Sequence, residues 1–401
     1  MTRARLLLSG ALLGVVAQAV LAHLTSLPGG ILDRRYLLLG EIGLWSAAAA
    51  LTVLCLLRLP RRQAVALLLL GAVVVRLASF SAKAPLSDDL YRYAWDGVVQ
   101  SQGTDPYRYP PLAPQLAPLR DAPGMHWIWP PGKRGDRDQT KINRAGVRTI
   151  YPPVAEAWFW LEHQVVPLEA RDPGYEGGGM VLDLAVLAAL LALLRSSGGD
   201  VRWAAVYGLT PLPVLEAVQN AHVDVLGVLL VCGAVALERR GRVLPASAVL
   251  ALATLVKVYP ALLFPLLVRR RPVGAVLVAA AVAVLGYLPH VLAVGTRVVG
   301  YLPGYLREEQ YGQGTRYLLV GLLGLRGDVA TGVVALGVLA VVVWALRTDR
   351  SLPDAGARLL TGVFLLITPV QPWYALLLVA LVALSGFWPG LAVAAAAYPL
   401  L

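Results

Sequence analysis

The side chains best suited to chemistry lie in the segment SDDLYRYAWDG, which covers Ser87–Gly97. This segment holds three carboxylates, one arginine and three aromatic rings, and it follows directly on an apolar run near 63–80. Carboxylates at the edge of a bilayer are costly to desolvate, so they usually mark a site there. They can take a proton from a hydroxyl group or hold a divalent cation, although we predict no metal or other cofactor.

One interpretation of these carboxylates is structural. Ser87 or Asp88 can cap a helix over about 88–102, and Gly103 can end it. A capping role would explain Asp88 without any catalytic function. It explains less for the next carboxylate, which lies inside the helix.

The functional interpretation rests on helical spacing. Asp89 and Tyr93, with Asp96 or Arg92, recur at spacings of three, four and seven, so they would share one helix face. Tyr91 and the other aromatic rings would anchor this helix at the membrane interface. We therefore expect this face to contact a substrate.

Other polar side chains recur far along the chain. His222 and Asp224 stand at a helix start after Asn220. In the structural interpretation Asn220 caps that helix and His222 bonds to a backbone carbonyl; in the functional one, His222 and Asp224 contact a sugar or a phosphate. A His-x-Asp pair alone lacks the further ligands of a metal site.

Lys257 is the least expected cation, because it lies within an apolar stretch at membrane depth. It can pair with a buried carboxylate such as Glu41 or Glu216, or it can bind an anionic ligand. We favour the anionic ligand.

Composition defines the class of protein. Hydrophobic residues make up 58% of the 401 and charged residues 15%, and the mean hydropathy is +0.66. Apolar runs of helix length without strict alternation predict an all-α polytopic membrane protein rather than a barrel. The net charge of +11 comes from residues at loop positions, so it indicates membrane topology and no nucleic-acid partner.

Basic residues predict the topology, because cytoplasmic loops are enriched in lysine and arginine. Arg3 and Arg5 place the N-terminus in the cytoplasm, and the basic loop at 58–62 returns the chain there. The run near 63–80 then leaves the cytoplasm. The polar segment 81–176 is therefore predicted to lie outside as a large loop.

Two segments do not fit as simple spans. The basic loop at 238–242 stays in the cytoplasm only if the segment 151–167 starts and ends outside. We therefore predict that this segment is a second interfacial helix, besides that near 88–102. The segment 243–268 lies between the basic runs 238–242 and 269–271 and is broken at KVYP. We predict a pair of half-helices with Lys257 near the turn.

The rest of the chain supplies long apolar runs, which give a single transmembrane domain over 1–401 with about eleven crossings. The predicted spans are near 6–24, 37–57, 63–80, 177–194, 203–219, 222–237, 272–289, 328–346, 356–370, 373–385 and 387–401. This topology gathers the polar segments on the outer face.

Five motifs follow one another along the chain: Asp89-x-x-x-Tyr93, Gly103-x-x-Pro106-Tyr107, Tyr151-Pro152-Pro153, His222-x-Asp224 and Lys257-x-Tyr259-Pro260. In this order they resemble the GT-C membrane glycosyltransferases, and among them the bacterial polyprenol-phosphate-mannose-dependent mannosyltransferases, a branch similar to glycosyltransferase family 87. The resemblance implies a GT-C-like bundle of about 11–13 transmembrane helices. It also implies a plasma-membrane enzyme whose active site lies on the extracytoplasmic face.

In such enzymes the acidic residue of the first large external loop is the general base, which implies Asp89, with Asp88 as a neighbouring carboxylate. This loop follows the third span here, whereas many members have it after the first. A lipid-borne phosphate leaving group needs cations. Lys257 can supply one, with one or more of Arg316, Arg307 and Arg297.

The resemblance implies that the enzyme transfers a hexose with inversion from a polyprenyl-phosphate donor in the bilayer. The hexose that the resemblance favours is mannose. The acceptor hydroxyl can belong to a glycan, a lipid, a carotenoid or a protein. The residues expected to contact substrate are Tyr91, Arg92, Tyr93, Asp96, His222, Asp224, Gln371, Trp373 and Tyr374.

Two other functions would use the same residues. A transporter or flippase of a lipid-linked or anionic solute would need paired broken helices in corresponding halves of the chain. Here one hairpin and one dominant external loop are predicted, which favours the enzyme. A non-catalytic factor that binds lipid phosphates is the third possibility.

Overall fold

The computed structural model describes residues 3–28, 31–80, 86–130, 140–369 and 371–400. This part of the chain is helical and contains no β-strand. The main helices, numbered in chain order, are α1 Arg3–Thr25, α2 Ile31–Arg58, α3 Arg61–Ser79, α4 Asp89–Ser101, α5 Pro153–Val165, α6 Arg171–Ser196, α7 Asp224–Arg239, α8 Val243–Thr254, α9 Pro272–Val294, α10 Gly327–Arg347, α11 Leu352–Ile367, α12 Ala375–Ser385 and α13 Pro389–Leu400. The predicted all-α polytopic class is confirmed.

Six of the described helices are long and apolar enough to cross a bilayer, and a seventh crossing results if one bent pair counts as a span. The six are Arg3–Thr25, Arg34–Arg58, Arg61–Ser79, Leu168–Ser196, Pro272–Glu308 and Gly327–Arg347. The bent pair joins Pro211–Gln219 to Asp224–Arg239 at 118°. The protein is therefore a multi-pass membrane protein.

The remaining predicted spans are shorter than expected. The span expected near 203–219 is interrupted before Pro211, because proline lacks the N–H that continues a helix. Helices α11, α12 and α13 have 16, 11 and 12 residues. A helix of twelve residues covers about 18 Å, against about 30 Å of hydrocarbon. The eleven predicted crossings are thus not all formed by single helices.

The basic loops meet at one end of the bundle. The contacts that join them are Arg202 Nη1 with Leu59 O at 2.8 Å, Arg239 Nη1 with Leu193 O at 2.7 Å, Arg270 Nη2 with Glu238 Oε1 at 2.7 Å and Arg269 Nη2 with Arg350 O at 2.7 Å. Helix α7 runs from this end to Asp224, a length of about 24 Å at 1.5 Å per residue. The chain thus has a basic end and, about 24 Å away along α7, an end that carries the candidate site.

Two helix breaks bring polar residues to this second end. Helix α8 ends at Thr254 and helical structure resumes at Tyr259, so Lys257 lies in the break. Before α7, a π-helical segment ends at Gln219, and Ala221 adopts a φ of 50°. Positive φ costs energy in a residue with a Cβ and is often found at functional sites.

Helices α4 and α5 pack tightly against each other in the polar segment after α3. The rings of Tyr93 and Phe159 stack with centroids 4.4 Å apart. A side chain at Gly97 would collide with the Phe159 carbonyl oxygen, so glycine permits this close approach. At the start of α4, Ser87 Oγ accepts a hydrogen bond from the Asp89 N–H at 3.3 Å, whereas Asp88 makes no capping bond.

Candidate active site

Asp89, the first residue of α4, is held by two side chains from the loop that returns to α5. Its Oδ1 accepts a hydrogen bond from Asn143 Nδ2 at 2.8 Å, and its Oδ2 accepts one from the Tyr151 hydroxyl at 3.0 Å. The Asp89 side chain keeps 15% of its surface exposed. The carboxylate is therefore oriented but still accessible.

The electrostatic environment keeps Asp89 ionised. Burial alone would raise the pKa of its carboxyl group, but the nearby charges of His222 and Lys257 and the hydrogen bonds from Asn143 and Tyr151 hold that pKa below its ordinary value.

The neighbouring Asp88 is more exposed, and its pKa shifts the other way. Partial loss of hydration and repulsion from Asp89 raise the pKa of Asp88, against the opposing charge of Lys141. Asp89 is thus the better candidate for a base that is deprotonated at neutral pH.

His222 is fully buried and contacts side chains rather than the backbone carbonyl of the structural interpretation. Its Nε2 lies 3.1 Å from Ser87 Oγ and 3.9 Å from Asp89 Oδ2, and its Nδ1 lies 3.0 Å from Glu216 Oε2. Its ring centroid is 4.1 Å from that of Trp373. His222 therefore joins the helix break before α7 to the start of α4.

Lys257 pairs with Asp224, not with the Glu41 or Glu216 considered from the sequence. The distance from Lys257 Nζ to Asp224 Oδ2 is 3.5 Å, longer than a normal hydrogen bond. The same Nζ lies 4.8 Å from the centroid of the Tyr151 ring. Lys257 thus meets the tyrosine that holds Asp89, and its side chain is 15% exposed.

The predicted residues Tyr374, Gln371 and Arg316 form a second group, which is linked by contacts with the segment 305–309. Lys257 Nζ lies 5.9 Å from the Tyr374 ring centroid, and the Tyr374 hydroxyl is 3.4 Å from that of Tyr305. Gln371 Nε2 donates to Glu309 Oε1 at 3.0 Å, and Arg316 Nη2 lies 2.7 Å from Glu309 Oε2. Arg316 therefore belongs to this second group, but the carboxylate of Glu309 already neutralises it.

Some predicted residues lie elsewhere. Arg92 Nε donates to both oxygens of Asp96 at 3.1 and 3.0 Å, so these two side chains satisfy each other within α4. Tyr91 donates from its hydroxyl to Asp172 at 3.2 Å. Arg297 and Arg307 are exposed and, among the described residues, neither forms an ion pair with a carboxylate.

Sequence reasoning did not assign a site role to Asn143, Ser87 or Tyr151. Tyr151 begins the motif Tyr151-Pro152-Pro153, and its hydroxyl donates to Asp89. Asn143 lies in irregular structure, where no periodicity indicates which way a side chain points. Among the described residues, no group of three or more histidine, cysteine, aspartate or glutamate side chains is arranged to hold a metal.

The arrangement brings a carboxylate and a lysine to one tyrosine, Asp89 at its hydroxyl and Lys257 at its ring. Such a pair can accept a proton and stabilise a developing negative charge within one reaction. The family model of glycosyltransferase family 87 matches residues 150–369, more than half of the chain. The chain belongs to glycosyltransferase family 87.

Membership of family 87 makes this protein a glycosyltransferase and decides against the transporter considered from the sequence. The matched range includes Tyr151, His222, Asp224 and Lys257, whereas Asp89 lies before it. Searches of curated proteins and of solved structures each gave no match.

Proposed function

We propose that this family 87 enzyme transfers a hexose, mannose by resemblance, from a polyprenyl-phosphate donor to a hydroxyl acceptor. The transfer takes place on the extracytoplasmic face of the plasma membrane, opposite the basic end of the bundle. One observation carries the proposal: Tyr151 contacts Asp89 with its hydroxyl at 3.0 Å and Lys257 with its ring at 4.8 Å. Base and cation therefore share one site, although the sequence separates them widely.

Asp89 is the general base in this mechanism. The acceptor oxygen forms a bond to the anomeric carbon while its proton moves to the Asp89 carboxylate. The hydrogen bonds from Asn143 and Tyr151 fix the orientation of that carboxylate. Attack opposite the leaving phosphate inverts the anomeric centre, so a β-linked donor gives an α-linked product.

Lys257 receives the leaving phosphate. The bond from the anomeric carbon to the phosphate oxygen breaks, and negative charge accumulates on that oxygen as it leaves. Lys257 can turn toward it because its contact with Asp224 is long. Arg316 is a second cation that could bind the phosphate, but only if its ion pair with Glu309 breaks.

A cavity beside the site, mostly apolar but also lined by Arg35 and Glu216, supports a lipid substrate. It has a volume of about 130 Å³ and reaches from α2 to Ser87, Asn220 and Trp373. Leu38 and Ile42 of α2 form part of its wall. A prenyl chain in this cavity would have its phosphate end close to His222, which contacts both Ser87 and Trp373.

The test uses purified protein in liposomes with an acceptor extract from the native membranes. Three radiolabelled donors are supplied separately: polyprenyl-phosphate mannose, polyprenyl-phosphate glucose and nucleotide-linked mannose. We expect labelled product from the lipid-linked mannose donor. Product from the nucleotide donor alone would refute the lipid donor, and faster transfer of glucose would refute mannose while leaving the lipid donor in place.

A further inference from the structure

A second cavity lies at the basic end of the bundle, remote from the candidate active site. It has a volume of about 510 Å³, within the range of ligand pockets. It is lined by Ala340, Val341, Trp344, Arg350, Arg358 and Phe387. Two cations, Arg350 and Arg358, therefore lie beside a mostly apolar wall.

The depth of this cavity corresponds to a membrane interface. It lies at the end of α10, whose outer surface carries the exposed side chains Leu336 and Leu339 and therefore faces lipid. Trp388, next to the cavity residue Phe387, is 69% exposed. Tryptophan and arginine at the end of an apolar span are typical of the head-group region.

The two arginines keep donors for a ligand. Arg350 Nη1 and Arg358 Nε each donate to Asp354, at 2.7 and 3.0 Å. The Arg358 guanidinium also stacks over the Phe387 ring at 4.2 Å. A guanidinium has five N–H donors, so both arginines keep further donors, and two positive charges share one carboxylate. The stacking and the shared carboxylate hold the arginines in place for a phosphate.

We propose that this cavity binds an anionic glycerophospholipid of the bilayer. Arg350 and Arg358 contact the head-group phosphate, and one acyl chain lies along Ala340, Val341 and Trp344. A free anion would contact only the arginines and would leave the apolar wall without a ligand. A zwitterionic lipid would bring a head-group cation toward two arginines, so an anionic head group fits better. Helix α11 runs from Leu352, beside the cavity, to Ile367, close to Gln371, so the lipid also fixes an element that reaches the active site.

The test is a lipid titration followed by native mass spectrometry of the full chain in detergent. The probes are dioleoyl phosphatidylglycerol, dioleoyl phosphatidylcholine and inorganic phosphate. We expect one tight phosphatidylglycerol site, at least about tenfold stronger than the phosphatidylcholine site, because charge-assisted hydrogen bonds to phosphate are the strong ones. The double variant Arg350→Gln/Arg358→Gln should lose that one site.

Two further variants separate charge from shape. Arg242→Gln removes an exposed arginine at the same end but outside the cavity, and it should keep the tight site. Ala340→Trp fills the cavity from its exposed side while both arginines remain, and it should lose the site. Equal binding of the two lipids, an unchanged site in the double arginine variant, or equal binding of inorganic phosphate would each overturn the proposal.

Discussion

Helix α4 takes part in two carboxylate clusters of opposite character, about two helical turns apart. In the first cluster, Asp89 is 15% exposed and lies 3.9 Å from His222, and the ion pair of Lys257 with Asp224 is 3.5 Å long. In the second, Asp96 accepts two hydrogen bonds from Arg92, and both side chains are buried. The first cluster is open and loosely paired, and the second is closed.

Glu156 completes the closed cluster. It is fully buried, and its carboxyl oxygens accept hydrogen bonds from Thr149 at 2.6 Å and from Gln100 at 3.0 Å. A polar network with all members satisfied makes a packed region rigid, and it leaves nothing for a substrate. The loosely paired charges, rather than the number of carboxylates, therefore mark the candidate site, and the closed cluster supports them by locking α4 onto α5.

The strongest test exchanges the same residue in each cluster. Asp89→Asn should lower sugar transfer about 10³-fold, because an amide cannot accept the acceptor proton. Asp96→Asn should change transfer by less than about threefold but cost about 3 kcal/mol of stability, because Arg92 would be left buried without its partner. Transfer is measured with the labelled donor, and stability by thermal unfolding in the same detergent.

The outcome that would contradict the comparison is the reverse pattern. If Asp96→Asn abolished transfer in a protein of normal stability, the closed cluster would contain the base. Asp88→Asn serves as the control for a change of charge beside the site and should stay within about fivefold of the unchanged protein, an effect of about 1 kcal/mol on the barrier.

A second test concerns the cation. Lys257→Gln should lower transfer about 100-fold, the size expected for loss of one group that stabilises the leaving charge. It should also destabilise the fold, because Asp224 would remain buried without a cation. In the double variant Lys257→Gln/Asp224→Asn, thermal stability should recover while transfer stays low.

Arg307→Gln is the matched control for the cation, because it removes an exposed positive charge on the predicted outer face. It should leave transfer within about twofold, since an exposed charge contributes little. Recovery of transfer in the Lys257 double variant would mean that Lys257 acts only by balancing Asp224.

Much of the fold could be predicted from the sequence because membrane helices are long apolar runs interrupted at proline and glycine. The helix expected near 88–102 is found as Asp89–Ser101, and the break expected at Lys257 lies between Thr254 and Tyr259. Crossing number was harder. Pieces such as α12 and α13 are apolar enough for a span but too short, and composition alone does not show where they end.

The candidate site was predictable where burial of a charge is costly, which singled out Asp89 and Lys257. It was not predictable where the partner comes from irregular structure, as with Asn143, or from a distant helix, as with Asp224. The spacing of four between Arg92 and Asp96 also fits an ion pair within one helix, and that is the contact found. A shared helix face therefore does not imply a shared ligand.

A third test measures how the open cluster tunes its base. Tyr151→Phe keeps the ring beside Lys257 but removes the hydrogen bond that helps to lower the pKa of Asp89. The base works only when deprotonated, so transfer is lost as pH falls through that pKa. Raising the pKa of Asp89 should therefore move the acidic limb of the kcat/KM profile to higher pH. Because the hydrogen bond is also lost, transfer at neutral pH should be about tenfold lower.

Tyr107→Phe is the control for this substitution, because the Tyr107 hydroxyl donates to the Tyr151 carbonyl at 2.6 Å and not to Asp89. It should leave the acidic limb in place. An unmoved limb in Tyr151→Phe as well would show that the titrating group is not Asp89.

The smallest effect on transfer is expected from Glu156 in the closed cluster. Burial, and then the charge of Asp96, raise the pKa of Glu156 well above its ordinary value of 4.5, so the folded protein holds a proton there that the unfolded chain releases. Stability should therefore fall as pH rises above about 4.5, by up to about 1.4 kcal/mol per pH unit until the folded-state pKa is passed. Glu156→Gln cannot titrate, so its unfolding temperature between pH 5 and 8 should depend less on pH, with transfer within about threefold.

Asp200→Asn provides the opposite sign, because the hydrogen bonds from Arg202 lower the pKa of the Asp200 carboxyl. The stabilising contribution of the ionised Asp200 is complete above about pH 4.5 and is lost only as pH falls further, so Asp200→Asn should not alter the slope between pH 5 and 8. If Glu156→Gln kept the slope of the unchanged protein, Glu156 would be ionised in the fold. The second cluster would then carry an uncompensated charge, and the distinction between an open and a closed cluster on α4 would no longer hold.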